Sequence, residues 1–379
     1  MIFSSNQSRV SLRIKLVIMM VIFVVIIISI IASGSLSNII TTNHNSNQGA
    51  TSPLIQKPIA AMSYNDVVQY ALRKINEDRS RFNIPAVKLS NNTAAQLQAE
   101  DMLRPRLISH YTSDGMKPYM KYTVFGGKGY VAQNVGYDGF NNLQTNIINR
   151  CEIGVYICAP IDPIKSIDEL EYNMMHYDSI FYWSHRNNIL DKHHTHVSIG
   201  IAYDKYSFAF VQNFENNYIE FDKPMIKVND LAYKTDNNYY KANIEISGKV
   251  IGNNNRIDSI YVYYDERPTF LIYNQHKNDN TYDMGKLIAD IVKQSPQLNQ
   301  HNKQSSNYTL IRATKWWIST PSTGEIGREQ SSQEQQQSID IQFNISSLLK
   351  SEGVYTIVVY LSHNNYDPFP VTSYSIFFW

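Results

Sequence analysis

Ser184-His185-Arg186-Asn187-Asn188-Ile189-Leu190-Asp191-Lys192-His193-His194-Thr195-His196-Val197-Ser198-Ile199-Gly200-Ile201 is the stretch on which the reading of this chain turns. Its second half alternates as a strand does, and the strand runs from Val197 to Tyr203. Phe208–Phe214 pairs with it across a turn at Asp204-Lys205. His194 and His196 flank Thr195, so they share one face of that strand, and His193 takes the other. A helix is predicted just upstream, from Ile167 to Tyr182. Of the chain's 10 histidines, five (His176, His185, His193, His194 and His196) fall within 21 residues. Neutral imidazole is a common zinc ligand and the usual acid or base near neutral pH, so the cluster is the main chemical signal.

Upstream, Val67, Val68, Ala71, Leu72 and Ile75 keep the three-to-four spacing of an amphipathic helix over 63–81. Arg73, Lys74, Glu77 and Asp78 fall on its outer side, and Ser63 or Asn65 can cap it. A second helix covers Asn92 to Leu103; its alanines imply close packing. His110 stands in the loop that follows. Cys151 and Cys158 lie seven apart. Outside the cytoplasm that spacing fits a disulfide stapling a local loop between Asn142 and Pro160, whereas a zinc knuckle uses tighter spacing.

Downstream of Lys223 the texture changes. Lys241–Val250, Ile257–Tyr264, Ile339–Ile345, Val354–Leu361 and Thr372–Phe378 are short alternating runs with Asn-rich turns between them. They predict an all-β, sandwich-like domain over 224–379. Ser322–Ser338, rich in Gln, Ser and Glu, reads as a mobile loop. Asn91, Asn307 and Asn344 open Asn-X-Ser/Thr sequons, which an Asn-rich chain also produces by chance.

The N-terminus decides the compartment. Leu16 to Ala32 is 17 residues of apolar side chains broken only by Ser29, preceded by Arg9, Arg13 and Lys15. That length lies between a spanning helix and a signal segment, and Ala32-Ser33-Gly34-Ser35 could serve a peptidase. Residues 1–34 are therefore expected to be a transmembrane anchor or a signal segment. The basic flank stays inside, so the remainder is exported, either held at the cell membrane or secreted. Residues 35–62, rich in Ser, Asn and Thr, read as a flexible stalk. The chain of 379 residues carries 34 Lys and Arg against 33 Asp and Glu, a formal charge of +1. Such a balance excludes a nucleic-acid binder, which needs clustered excess cations.

Six segments occur in order: Ala94 to Met102; Ile108-Ser109-His110; Ala132-Gln133-Asn134-Val135-Gly136-Tyr137; Ser184 to Leu190; Thr195 to Ile201; and Val211-Gln212-Asn213-Phe214. Together they resemble the prokaryotic branch of the CAP superfamily (cysteine-rich secretory proteins, antigen 5 and pathogenesis-related 1 proteins; SCP domain) over about 63–220. The resemblance implies an α/β/α sandwich, hence an α+β chain once the β domain is added, and an extracellular cleft lined by His and acidic residues. On that pattern His110 is the first cleft histidine, and His185 and Arg186 match the HR of HRxNIL. His196, or else His193, is the later histidine, and Asn134 follows the cleft's first acid position. That position holds Gln133 where the family has Glu, and an amide is neither a general base nor a carboxylate ligand. Glu171 and Asp178 are both candidates for the second acid. Trp183 and Asn188-Ile189-Leu190 read as packing residues.

Two functions compete on these residues. One is a binding module for a metal ion, lipid, glycan or protein, with His110, His185 and His196 as ligands if a divalent metal such as zinc is held. The other is a metal- or His-dependent hydrolase of peptides or envelope polymers. No nucleophile elbow or HExxH string supports the second. A purely structural surface protein merges with the first. The partners expected are the membrane, through the N-terminal segment, and an extracellular ligand or protein.

Overall fold

The computed structural model describes residues 62–225, 231–232, 241–252, 254–293, 307–319, 337–363 and 367–379. The N-terminal apolar run, the stalk and most of the Gln-rich loop lie outside them. Among the described residues no helix is long and apolar enough to cross a membrane.

The first helix, α1, spans Tyr64–Arg81. Ser63 caps it, and its hydroxyl and the Asp66 carboxylate exchange hydrogen bonds with each other's main-chain N–H, which satisfies two orphan donors at the helix start. Val67, Val68, Ala71 and Ile75 form its buried face. Asp78, expected on the outer side, is buried too and accepts a hydrogen bond from Arg81 at 2.6 Å. After the short strand β1 (Lys88–Leu89) comes α2 (Ala94–Leu103), then α3 (Pro118–Val124) and the edge strand β2 (Tyr130–Gly139). Next come α4 (Thr145–Glu152), α5 (Pro163–His176) and α6 (Ser184–Ile189), then the hairpin of β3 (His196–Tyr203) and β4 (Ser207–Asn216).

These strands make one sheet in the order β1-β3-β4-β2. Side-chain alternation sorts its two faces. Phe208, Phe210 and Phe214 of β4 pack with α1, α5 and α6, whereas Ala209 and Val211 pack with α2. The result is the α/β/α sandwich that the resemblance implied. Gly200 lets the main chain of α2 approach the sheet, since a Cβ there would stand 2.0 Å from the Ala95 carbonyl oxygen. The helix predicted over 167–182 is shifted and shorter. It starts at Pro163, capped by Asp162, and ends at His176; a separate 3₁₀ turn covers Asp178–Phe181. Cys151 and Cys158 are joined in a disulfide that closes the loop after α4.

The second half is a β-sandwich. One sheet orders β10 (Thr309–Arg312), β9 (Lys286–Val292), β8 (Asn255–Asp265), β13 (Gly353–His363) and β14 (Phe369–Phe378). The other orders β11 (Lys315–Ile318), β12 (Gln337–Asn344), β7 (Lys241–Val250) and β5 (Ile219–Phe221), with β6 (Leu231–Ala232) also on β7. Ile, Val and Ala side chains of both sheets fill the space between them. A short helix, α7 (Phe270–His276), leaves β8 and leads into the 278–283 segment before β9.

The sandwich is joined to the first unit by main-chain and side-chain bonds. Thr123 of α3 donates to the Ser373 carbonyl at 3.2 Å and accepts from the Ser375 N–H at 3.1 Å. Asn216 donates to the Pro370 carbonyl at 2.8 Å. Buried Lys117 is held by Asp265 at 2.7 Å and also by Asp283, and Tyr119 donates to Asp265 at 2.5 Å. Ion pairs this enclosed cost much desolvation unless every partner is present, so they demand one fixed arrangement of the surfaces that carry them.

Candidate functional site

Strand β2 lies at the edge of its sheet, so both faces of its Gln133-Asn134 pair reach the site. Gln133 projects toward the α2 side. Its Oε1 lies 3.0 Å from His110 Nδ1, and its Nε2 donates to Asn213 Oδ1 at 3.0 Å. Asn134 projects toward the helix side, where it donates to the His185 carbonyl and to Gln212, both at 3.1 Å, and accepts from Asn188 at 3.0 Å. Asn134 thus orients the turn that presents His185.

That turn is unusual. Tyr182 and Trp183 both adopt positive φ, 55° and 62°. Two successive non-glycine residues in the left-handed region cost about 1–3 kcal/mol each and persist only where the surroundings hold them. Asp178 supplies much of the hold: its carbonyl accepts from the Trp183 N–H at 3.0 Å and its Oδ2 from the Arg186 N–H at 3.1 Å. Its remaining oxygen, Oδ1, is 2.6 Å from His185 Nδ1. Of the two acids the sequence offered, Asp178 is therefore the one that meets the cleft histidine. Glu171 faces away, accepting from Gln212 under the sheet, with its other oxygen unpartnered. Burial first, and the nearby Asp78 carboxylate second, push Glu171 up to about 8.

His110 is enclosed. It is 5 % exposed, and burial pulls it down to about 4, so it is neutral at pH 7. Besides Gln133, the main chain of Asn280 hydrogen-bonds its ring. The Tyr282 ring stands over it at 5.1 Å, and the Tyr282 hydroxyl accepts from the Gln133 N–H at 3.1 Å. Asn280 and Tyr282 belong to the segment between α7 and β9, about 170 residues from His110 in the chain. The sequence carried no signal for them, because nothing local to 278–282 marks a site.

Two clefts meet here and share His110, His185 and Asn280. One, of about 420 Å³, is walled by Leu170, Met174, Tyr177 and Phe181, with Asn173 and Asn278 among its polar groups. The other, of about 400 Å³, runs past Gln133, Asn134 and His194 toward Tyr282 and Pro370.

Two of the expected site residues, Arg186 and His196, are elsewhere. Arg186 lines neither cleft. It donates to the Met175 carbonyl at 3.3 Å and lies over the rings of Phe82 and Trp183. Trp183, expected in the core, is 38 % exposed. His196 also lines neither cleft, and its Nδ1 is 2.9 Å from the Thr195 hydroxyl. His194 precedes β3 rather than sharing its face with His196. It is buried between Asn188 and Asn216, and burial lowers it to about 4. His193 stacks on Phe369 of the sandwich.

The proposed zinc ligands His110, His185 and His196 are accordingly not brought together. Among the described residues no group of three or more His, Cys, Asp or Glu side chains could hold a metal ion. His110 is enclosed, His185 has its Nδ1 on Asp178, and an amide side chain, Gln133, stands beside His110.

The geometry places a histidine pair where two clefts meet, with a buried acid in one and an edge-strand Gln-Asn in the other. Residues 72–214 match the model of the Cysteine-rich secretory protein family, CAP. The chain carries a CAP domain. Two solved bacterial structures also align with it. One is the crystal structure of an extracellular protein containing an SCP domain from Bacillus anthracis, 18 % identical, covering 40 % of this chain and 41 % of that one, with a TM-score of 0.27. The other is the CAP domain of Enterococcal PrgA, 14 % identical, covering 42 % and 64 %, with a TM-score of 0.26. The aligned part spans less than two thirds of either chain. No curated protein matches. The cleft of this domain borrows one wall from the appended sandwich.

Proposed function

We propose that this is an exported binding protein whose CAP cleft, completed by Asn280 and Tyr282 of the β-sandwich, holds a polar ligand with apolar faces, such as an envelope glycan or its fragments. The observation that carries this reading is the enclosure of His110. A neutral imidazole held by an amide, a main-chain group and an aromatic ring has no free base to offer, so it serves as a fixed wall. His185, with its Nδ1 on Asp178, keeps the other ring nitrogen for a ligand. Asn173, Asn278 and Asn280 supply amides beside the aromatic walls of Tyr177 and Phe181, a combination that suits hydroxyl groups and sugar C–H faces. Export rests on the apolar run at 16–32 with its basic flank and on the Cys151–Cys158 disulfide.

The test uses the full-length protein in detergent micelles, titrated calorimetrically with soluble muropeptides and separately with zinc. Saturable muropeptide binding that is lost in His185→Ala, with no saturable zinc binding, is the expected result. Saturable zinc binding that His110→Ala abolishes would overturn it.

One observation favours a second reading. The 2.6 Å His185–Asp178 pair is the arrangement in which an acid orients a histidine base, and it could activate water for hydrolysis. Cleavage of the same muropeptides, abolished by Asp178→Asn, would establish that reading in place of the first.

A further inference from the structure

The sandwich contains a cavity of its own, about 510 Å³, well apart in sequence from the CAP cleft. The register explains how it is built. Tyr264 of β8 pairs with Lys286 of β9 on one side and with Tyr355 of β13 on the other. The three residues form one row across three strands, so their side chains leave the same face of the sheet. Ile288, at the register shift of β9, also lines the cavity, and Leu348 and Tyr308 close the sides.

Both buried-end hydroxyls are committed. Tyr355 donates to the Ser351 carbonyl at 2.9 Å, and Tyr264 donates to the Glu352 carbonyl at 2.8 Å. These bonds fix the two rings, which lie 5.2 Å apart. Lys286 and Lys350 stand exposed at the mouth. Among the described residues neither has an ion-pair partner, and Glu352 directs its carboxylate to Arg267 at 3.1 Å instead. An aromatic and aliphatic floor under two uncompensated ammonium groups selects for a molecule with a ring and a negative charge. Lysine acts as a compact point charge, and its attraction for an anion is strengthened beside apolar surface.

We infer that this cavity is a second ligand site that takes an acidic sugar, with the carboxylate between Lys286 and Lys350 and the sugar ring against the tyrosines. It stands independently of the reading of the His-lined cleft. The shared chemistry of ring and anion could also come from a phosphorylated sugar, so the test separates the two.

The full-length protein in detergent micelles is titrated with glucuronate, glucose and glucose 6-phosphate, followed by saturation-transfer NMR and calorimetry. Glucuronate is expected to bind saturably and glucose at least about tenfold more weakly, the size of one charge-assisted hydrogen bond. Lys286→Gln and Lys350→Gln should each weaken glucuronate by at least about tenfold and leave thermal unfolding unchanged, because both side chains are exposed; Lys286→Arg should retain binding. The inference fails if glucuronate does not saturate, if glucose binds equally, or if glucose 6-phosphate alone binds. It also fails if binding survives both lysine variants but is lost in His185→Ala, which would place the sugar in the other cleft.

Discussion

The two halves of this chain bury different chemistry. The CAP domain encloses His110, Gln133, Asn134, Glu171, Asp178, His194, Gln212 and Asn213, all of them hydrogen-bonded. The sandwich encloses mostly Ile, Val and Ala. Buried polar groups are costly unless satisfied, so a domain that retains many of them holds side chains in single orientations. Apolar packing is non-directional and yields a scaffold. The contrast assigns work to each half: the CAP domain orients a cleft, and the sandwich carries the loop that closes it.

The junction offers the largest test of that contrast. Lys117→Ala leaves Asp265 buried without its cation, and removal of one partner of such a pair costs about 3–5 kcal/mol. Equilibrium denaturation should show that loss. If the change is below about 1 kcal/mol, the junction is looser than its hydrogen bonds imply.

Within the sandwich, Ile246→Ala removes a fully buried side chain that faces Ile341 across the sheet. The expected cost is about 2–5 kcal/mol, from lost burial and the cavity left behind. Apolar packing does not titrate, so the cost should be the same at pH 5 and pH 8. A marked pH dependence would mean that the sandwich core is coupled to the polar network next to it.

Glu171→Gln probes the other core in the opposite way. The folded-state value of Glu171, about 8, lies above its ordinary 4.5, so between those limits the folded chain binds more protons than the unfolded one. Its contribution to stability is therefore greatest below pH 4.5 and is lost as pH rises through 8. The glutamine variant stays neutral and should be more stable than wild type at pH 8.5 by about 1–3 kcal/mol, with little difference at pH 4.5. Thermal melts at the two pH values check this, and a variant less stable at pH 8.5 would show that the carboxylate is charged and paired.

The smallest effect belongs to Tyr282→Phe, which removes only the acceptor for the Gln133 N–H. It should cost about 0.5–1.5 kcal/mol. Because the ring stays over His110, the imidazole NMR titration should remain well below the ordinary histidine range. A His110 that titrates normally in this variant would show that the hydroxyl, not the enclosure, keeps it neutral.

Much of the fold was legible because its signals are local. The α1 pattern, the alanines of α2, the β3–β4 hairpin and the strands at 241–250 and 354–361 all announce themselves by periodicity. The helix predicted over 167–182 misplaced both ends: it passed over the local Asp162-Pro163 cap, and the chain leaves the helix at Tyr177 for a separate 3₁₀ turn. Strands β9 and β10 and helix α7 were missed, since they are short and draw their stability from neighbours. Arg186 and His196 were assigned to the cleft from motif position alone. Neither side chain lines it, because a motif records which residues recur and not which way each one points.

The sequence by itself determined the CAP architecture, through six ordered segments that resemble the family, and the β-sandwich and the cysteine pair, through spacing and residue type that short windows of chain display. Only the tertiary structure decided that Asp178 rather than Glu171 meets His185, that His196 lines neither cleft with His110 and His185, and that Asn280 and Tyr282 wall in His110. Each of these depends on bringing together groups distant along the chain or separated by a turn whose backbone is held from outside, and no local pattern encodes such a meeting.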